Sequence, residues 1–91
     1  MAEDLSWEEL ARRAETKKAA MLRQTVSSSI PRYKQRIAEA IDAGNTRIWD
    51  NYPVMAHEQF LDLLNRELRS PFRAAHTDDF DEPNCFYITW A

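Results

Sequence analysis

Glycine occurs once in this chain, at Gly44, and that scarcity limits what the backbone can do. Glycine enters left-handed conformations without steric cost, so a chain with a single glycine has one favoured place for an abrupt helix stop and none for a flexible glycine-rich loop. A Walker-type phosphate cradle and the dinucleotide-binding fingerprint each need several glycines and are excluded. The remaining punctuation falls to Pro31, Pro53, Pro71 and Pro83, which mark further breaks.

Between those marks the apolar spacing sets the elements. Ser6-Trp7-Glu8-Glu9 reads as a capping box, the Ser6 hydroxyl taking the Glu9 amide while the Glu9 carboxylate reaches back, and it opens a helix over residues 7–27. Leu10, Ala14, Met21, Leu22, Thr25 and Val26 recur at helical steps, although Lys17 and Lys18 interrupt the stripe. Three serines followed by Ile30-Pro31 predict a break, because proline removes a backbone donor and its ring clashes with the preceding turn. A second helix over 30–43 follows, with Ile30, Tyr33, Ile37, Ala40 and Ile41 on one face; one long helix kinked at Pro31 fits the same pattern. Gly44-Asn45 stops it.

Residues 46–50, short, β-branched and aromatic, predict a strand. A helix over 55–69 carries Phe60, Leu61, Leu64 and Leu68 on one stripe and ends before Pro71. Residues 72–77 and 85–90 predict two strands forming a hairpin with a long acidic turn, Ile88 and Trp90 alternating with Tyr87 and Thr89. The expected fold is α+β: two N-terminal helices or one kinked helix, then β-α-β-β, with a small antiparallel or mixed sheet of three strands packed on the helices as a single domain over 1–91. A hydrophobic share of 44% is enough to build one core at this length and too much for a chain that stays disordered.

Cys85 is the only cysteine, so an internal disulfide, a CxxC redox pair and a cysteine-based zinc site are ruled out and a reducing compartment is expected. The acidic opening MAEDLSWEEL is unlike a secretory signal, and no run approaches the ~20 apolar residues of a membrane span, so a cytoplasmic protein without membrane contact is expected. Charge is unevenly spread. Residues 11 to 36 hold eight basic residues against Glu15 alone, whereas residues 45 to 91 hold four arginines against eight carboxylates.

Two surface groups follow as candidate partner-binding sites. Arg12, Arg13, Lys17, Lys18 and Arg23 can contact phosphates or an acidic protein, and can equally be a solvated helix face. Asp78, Asp79, Phe80, Asp81 and Glu82 place an aromatic among four carboxylates, a candidate anchor for a partner's pocket; the run lacks the glycine and terminal glutamate of a calcium loop. His57 and His76 have no third ligand at a recognisable spacing, and nothing beside Cys85 in sequence would lower its pKa. No catalytic residue, cofactor or metal is therefore assigned. Trp49 and Tyr52 flank the first strand, and the pattern fits both of them closing the core better than it fits one of them standing on an open sheet face beside Tyr87, as a binding surface or a seam between copies.

The run RIAEAIDAGNTRIW, the helix FLDLLNREL, the terminal CFYITWA and the opening LSWEELARRAETKKAA together resemble small proteins of tailed phages and large DNA viruses, over nearly the whole chain. The Ser-Ser-Ser-Ile-Pro break and the long acidic turn depart from that pattern. The resemblance carries no catalytic residue and implies a viral origin, with the host cytoplasm as location. The expected function is a non-enzymatic interaction protein, phage-encoded, that binds a host protein or defence component. The alternatives are a virion structural component, for which self-association is expected, and a nucleic-acid binder using the basic helical band.

Overall fold

A single α-helix, α1 (Trp7–Asp42), runs through the segment where the sequence predicts a break; the computed structural model describes residues 6–77, 81 and 83–91. The two-helix expectation is thereby corrected in favour of its alternative, one long helix with Pro31 inside it. The reason lies in phase. Leu22, Val26, Ile30, Tyr33, Ile37 and Ala40 follow steps of three and four without a slip, so one straight stripe faces the core on both sides of the proline. Pro31 deprives the Ser27 carbonyl of its helical donor, but both residues are exposed and solvent can replace the lost bond. Ser28 and Ser29 do not cap a new helix: their hydroxyls donate back to the Thr25 carbonyl at 3.1 and 2.8 Å.

Both ends of α1 fall where the sequence puts them, although only half of the expected capping box forms, since the Glu9 carboxylate pairs with Arg12 and Arg13 instead of reaching back to Ser6. The Ser6 hydroxyl accepts the Glu9 amide at 3.1 Å. At the other end Gly44 has a φ of 81°, its amide donates to the Ile41 carbonyl and the Asn45 amide to the Ala40 carbonyl, a Schellman stop that turns the chain into the sheet.

The remainder is β1 (Arg47–Asn51), α2 (His57–Glu67), β2 (Arg73–His76) and β3 (Cys85–Thr89), each within about two residues of its predicted bounds. The strand order is β1-β3-β2, and β3 is antiparallel to both neighbours. β1 and β2 therefore run parallel, joined through α2 as a split β-α-β unit. The register aligns Ile48, Ile88 and Ala74 across one face. That face meets Val26, Tyr33, Ile37 and Ala40 of α1 and Phe60 and Leu64 of α2 in one cluster, with Phe86 at its centre against Tyr33 and Phe60. Asn65 of α2 closes the outer edge of β2, its side-chain amide accepting from the Ala74 amide at 2.7 Å and donating to the Ala74 carbonyl at 2.9 Å.

Replacing Pro31 by Ala restores one helical bond at a site that already has helical geometry. We expect a stability gain of about 2 kcal/mol in urea denaturation, roughly 3 kcal/mol of interior proline cost offset by about 1 kcal/mol of unfolded-chain entropy. A second outcome concerns Tyr33, whose buried hydroxyl has no hydrogen-bond partner among the described residues. Burial raises its pKa above the ordinary 10.0, with Arg32 opposing the shift. A phenol that ionises later in the folded than in the unfolded chain lends stability below the unfolded pKa and loses it as pH rises beyond. Tyr33→Phe should therefore gain about 1 kcal/mol at neutral pH and lose less stability than the parent above about pH 10, as read by urea denaturation at both pH values.

Candidate functional site

From Trp7 to Met21 every residue of α1 except the half-buried Glu9 is exposed, so the first four turns of the helix project beyond the body. At 1.5 Å per residue the projecting part is about 22 Å long, and the molecule extends 62 Å along its longest axis. The apolar residues on it stand in solvent: Trp7 is 84% exposed and Met21 57%. Of the basic band, Arg12, Arg13, Lys17 and Lys18 lie here, while Arg23 stands beside Leu63 and Arg66 of α2; Glu9 pairs with Arg12 at 3.2 Å and Arg13 at 3.4 Å, which neutralises part of the band. Of the acidic group, Asp81 is exposed; Asp78, Asp79, Phe80 and Glu82 lie outside the described residues.

Two further basic residues serve the fold. Arg32 and Arg36, one helical turn apart on α1, both reach Asp50 of β1, at 2.9 and 3.1 Å. Arg36 also donates to the Trp49 carbonyl at 2.8 Å, and the second Asp50 oxygen accepts the Asn51 amide. Asp50 sits two residues beyond Ile48 on the core-facing side of β1, where an unpaired carboxylate would be costly. A lone acid at that position of a strand is the sequence signal that would have found this pin.

His57 and His76, nineteen positions apart in sequence, meet around Tyr52. The β1 and β2 ends lie on either side of β3, which brings Tyr52 beside His76, and the start of α2 supplies His57. Tyr52 stacks on His57 at 3.9 Å between centroids, its hydroxyl lies 2.8 Å from His76 Nδ1, and the two imidazoles are 6.1 Å apart. Burial, and secondarily the neighbouring Cys85, raise the Tyr52 pKa, so the phenol stays protonated at neutral pH and can donate to His76. The Cys85 thiol donates to Asn51 Oδ1 at 3.0 Å. Beside the stack opens a hollow of about 380 Å³ lined by Tyr52, His57, Met55 and Asn84. Among the described residues no three His, Cys, Asp or Glu side chains gather as a metal site, and no helix is long and apolar enough to cross a membrane.

The face of the sheet turned away from the helices is open. Trp49 lies across from Tyr87, and Tyr87 from Ala75, with Trp49 still 53% exposed. Tyr52, by contrast, turns inward onto Phe60 and Phe86, so of the two aromatics flanking β1 it is Trp49 that joins Tyr87. The Arg47 guanidinium lies over both rings, 5.8 Å from that of Trp49 and 4.8 Å from that of Tyr87.

No protein-family model, curated protein or solved structure matches this chain. Its surface chemistry must therefore be read from its own geometry: a projecting amphipathic helix, a Tyr-His-His stack at one end of the sheet, and an arginine-aromatic face. Asp50→Asn tests the pin that positions the helix against the sheet. With Arg32 and Arg36 left without a charge partner, a loss of about 1–2 kcal/mol is expected in chemical denaturation, with the largest increase in hydrogen exchange at the α1–β1 contact.

Proposed function

We propose that this chain is a non-enzymatic interaction protein, of the phage accessory kind implied by its sequence resemblance, that presents the projecting half of α1 to a partner protein. The observation that carries this reading is the exposure of Trp7, Leu10 and Met21 on four turns of helix that bury no side chain, although Glu15, Lys18 and Ala19 share a hollow with Ala56 and Gln59 near the start of α2. A solvent-exposed tryptophan is the kind of side chain that anchors interfaces, since it buries a large area at low cost in conformational entropy.

Chemistry narrows the partner. Lys17, Lys18 and Arg23 form no ion pair among the described residues and stand on the same helix as the apolar positions, which favours an acidic surface with an apolar pocket. The helix is already extended from a packed half, so docking does not need to nucleate it. A host protein or defence component is the proposed partner class. The virion-component alternative uses the same projecting half, packed against neighbouring copies.

The test is capture of host proteins on the immobilised chain with mass-spectrometric identification, run beside a Trp7→Ala/Leu10→Ala/Met21→Ala variant. A specific partner held by the parent and weakened at least about 30-fold by the triple substitution is expected, on the scale of one interface anchor of about 2 kcal/mol. Equal capture by both would remove the helix from the interface, and co-purification with virus particles would favour the structural alternative.

A further inference from the structure

A second surface has chemistry of its own and does not depend on the projecting helix. We propose that the open face of the sheet is a short stacking platform for single-stranded nucleic acid, with Trp49 and Tyr87 as base-stacking rings and Arg47 and Arg73 as phosphate contacts.

Three observations lead there. The first is the register, which sets Trp49, Tyr87 and Ala75 in one row across the three strands, and Arg47, Thr89 and Arg73 in the next. Two rings thus lie side by side with a small residue beside them, and an arginine stands on each edge strand. The second is exposure: Trp49 remains 53% exposed although Arg47 lies over its ring, and Arg73 is exposed. The third is charge. Arg47 and Arg73 make no ion pair among the described residues, and the one carboxylate of β1, Asp50, points to the opposite side, where Arg32 and Arg36 hold it. The face is locally cationic on a chain whose net charge is -3.

Those features select among occupants. A cationic group seeking an aromatic cage would have to displace Arg47 and would meet no carboxylate among the described strand residues of this face, whereas a nucleotide offers Arg47 a phosphate to turn to as a base takes its place on the rings. A second copy or a folded protein needs about 800 Å² per partner, whereas three strands of this length offer about 10 by 17 Å. That area matches two or three stacked bases, the number held by aromatic-bearing sheets that bind RNA. In a duplex the base faces are covered by their neighbours, so the unpaired strand is the occupant that satisfies both the rings and the arginines.

The experiment is fluorescence anisotropy of end-labelled oligo-uridine and oligo-thymidine with the full chain, at two salt concentrations. We expect single strands to bind and a duplex of equal length to compete poorly. With two phosphate contacts, affinity should fall only about sevenfold between roughly 50 and 200 mM salt. Trp49→Ala should weaken binding by about 5- to 150-fold, the range for removing one stacking ring, while Trp49→Phe keeps most of it. Arg73→Glu should weaken it at low salt and flatten the salt dependence. An unchanged melting temperature in Trp49→Ala separates these effects from loss of fold. Absence of binding at low salt would overturn the proposal, as would binding indifferent to Trp49→Ala and Arg73→Glu but abolished by Lys17→Glu/Lys18→Glu, which would place the contact on α1. A concentration-dependent dimer that disappears in Trp49→Ala, without oligonucleotide binding, would make this face a seam between copies and equally end the proposal. Capture through Trp7, Leu10 and Met21 would stand in any of these cases.

Discussion

Three strands of four or five residues and one eleven-residue helix do not enclose a core by themselves, and most features of this molecule follow from how that deficit is met. The second half of α1 lies across the sheet beside α2 and contributes Val26, Tyr33, Ile37 and Ala40 to the ten buried apolar residues among those described. Because the covering stripe must stay in phase from Leu22 to Ala40, the helix passes through Pro31 without a break. One covered face leaves the other bare. One anchored half leaves the other half of α1 in solvent.

The two exposed surfaces differ in kind. The projecting half of α1 combines an interrupted apolar stripe with cations spread around the helix, a geometry suited to a long and adaptable contact. The sheet face is small, its two rings set side by side by the strand register with the Arg47 guanidinium over them. Between them the Asp50 pin fixes α1 to β1, so the two surfaces keep a set relation.

Much of this arrangement is legible in the residues. Gly44 marks the helix stop, Ser6 the start, and the alternation of Ile88 with Tyr87 tells which side of β3 meets the helices. The break at Ser27–Pro31 is the instructive error: local propensity argues for a stop, and the unbroken apolar phase across it outweighs that argument because packing stabilises more than one lost hydrogen bond costs. The pairing of Arg32 and Arg36 with Asp50 depends on an α1–β1 contact that spans eighteen and fourteen positions of sequence, and the His57–Tyr52–His76 stack depends on β3 inserting between β1 and β2. Neither can be read from spacing along the chain. The residues favour Trp49 and Tyr52 both closing the core, which holds for Tyr52 alone; the register leaves Trp49 on the open face, and neither that nor the guanidinium lying on it is legible in the sequence.

Both outer edges of the sheet are held by side chains from the helices: Asn65 occupies the Ala74 amide and carbonyl on β2, and Arg36 occupies the Trp49 carbonyl on β1. Unsatisfied edge groups are the template on which foreign strands add and on which sheet proteins aggregate. A three-stranded sheet has proportionally more edge than any larger one, and here several of the polar groups that would recruit a fourth strand already have intramolecular occupants. The same helices that cover the sheet thereby guard it against polymerising through its own backbone.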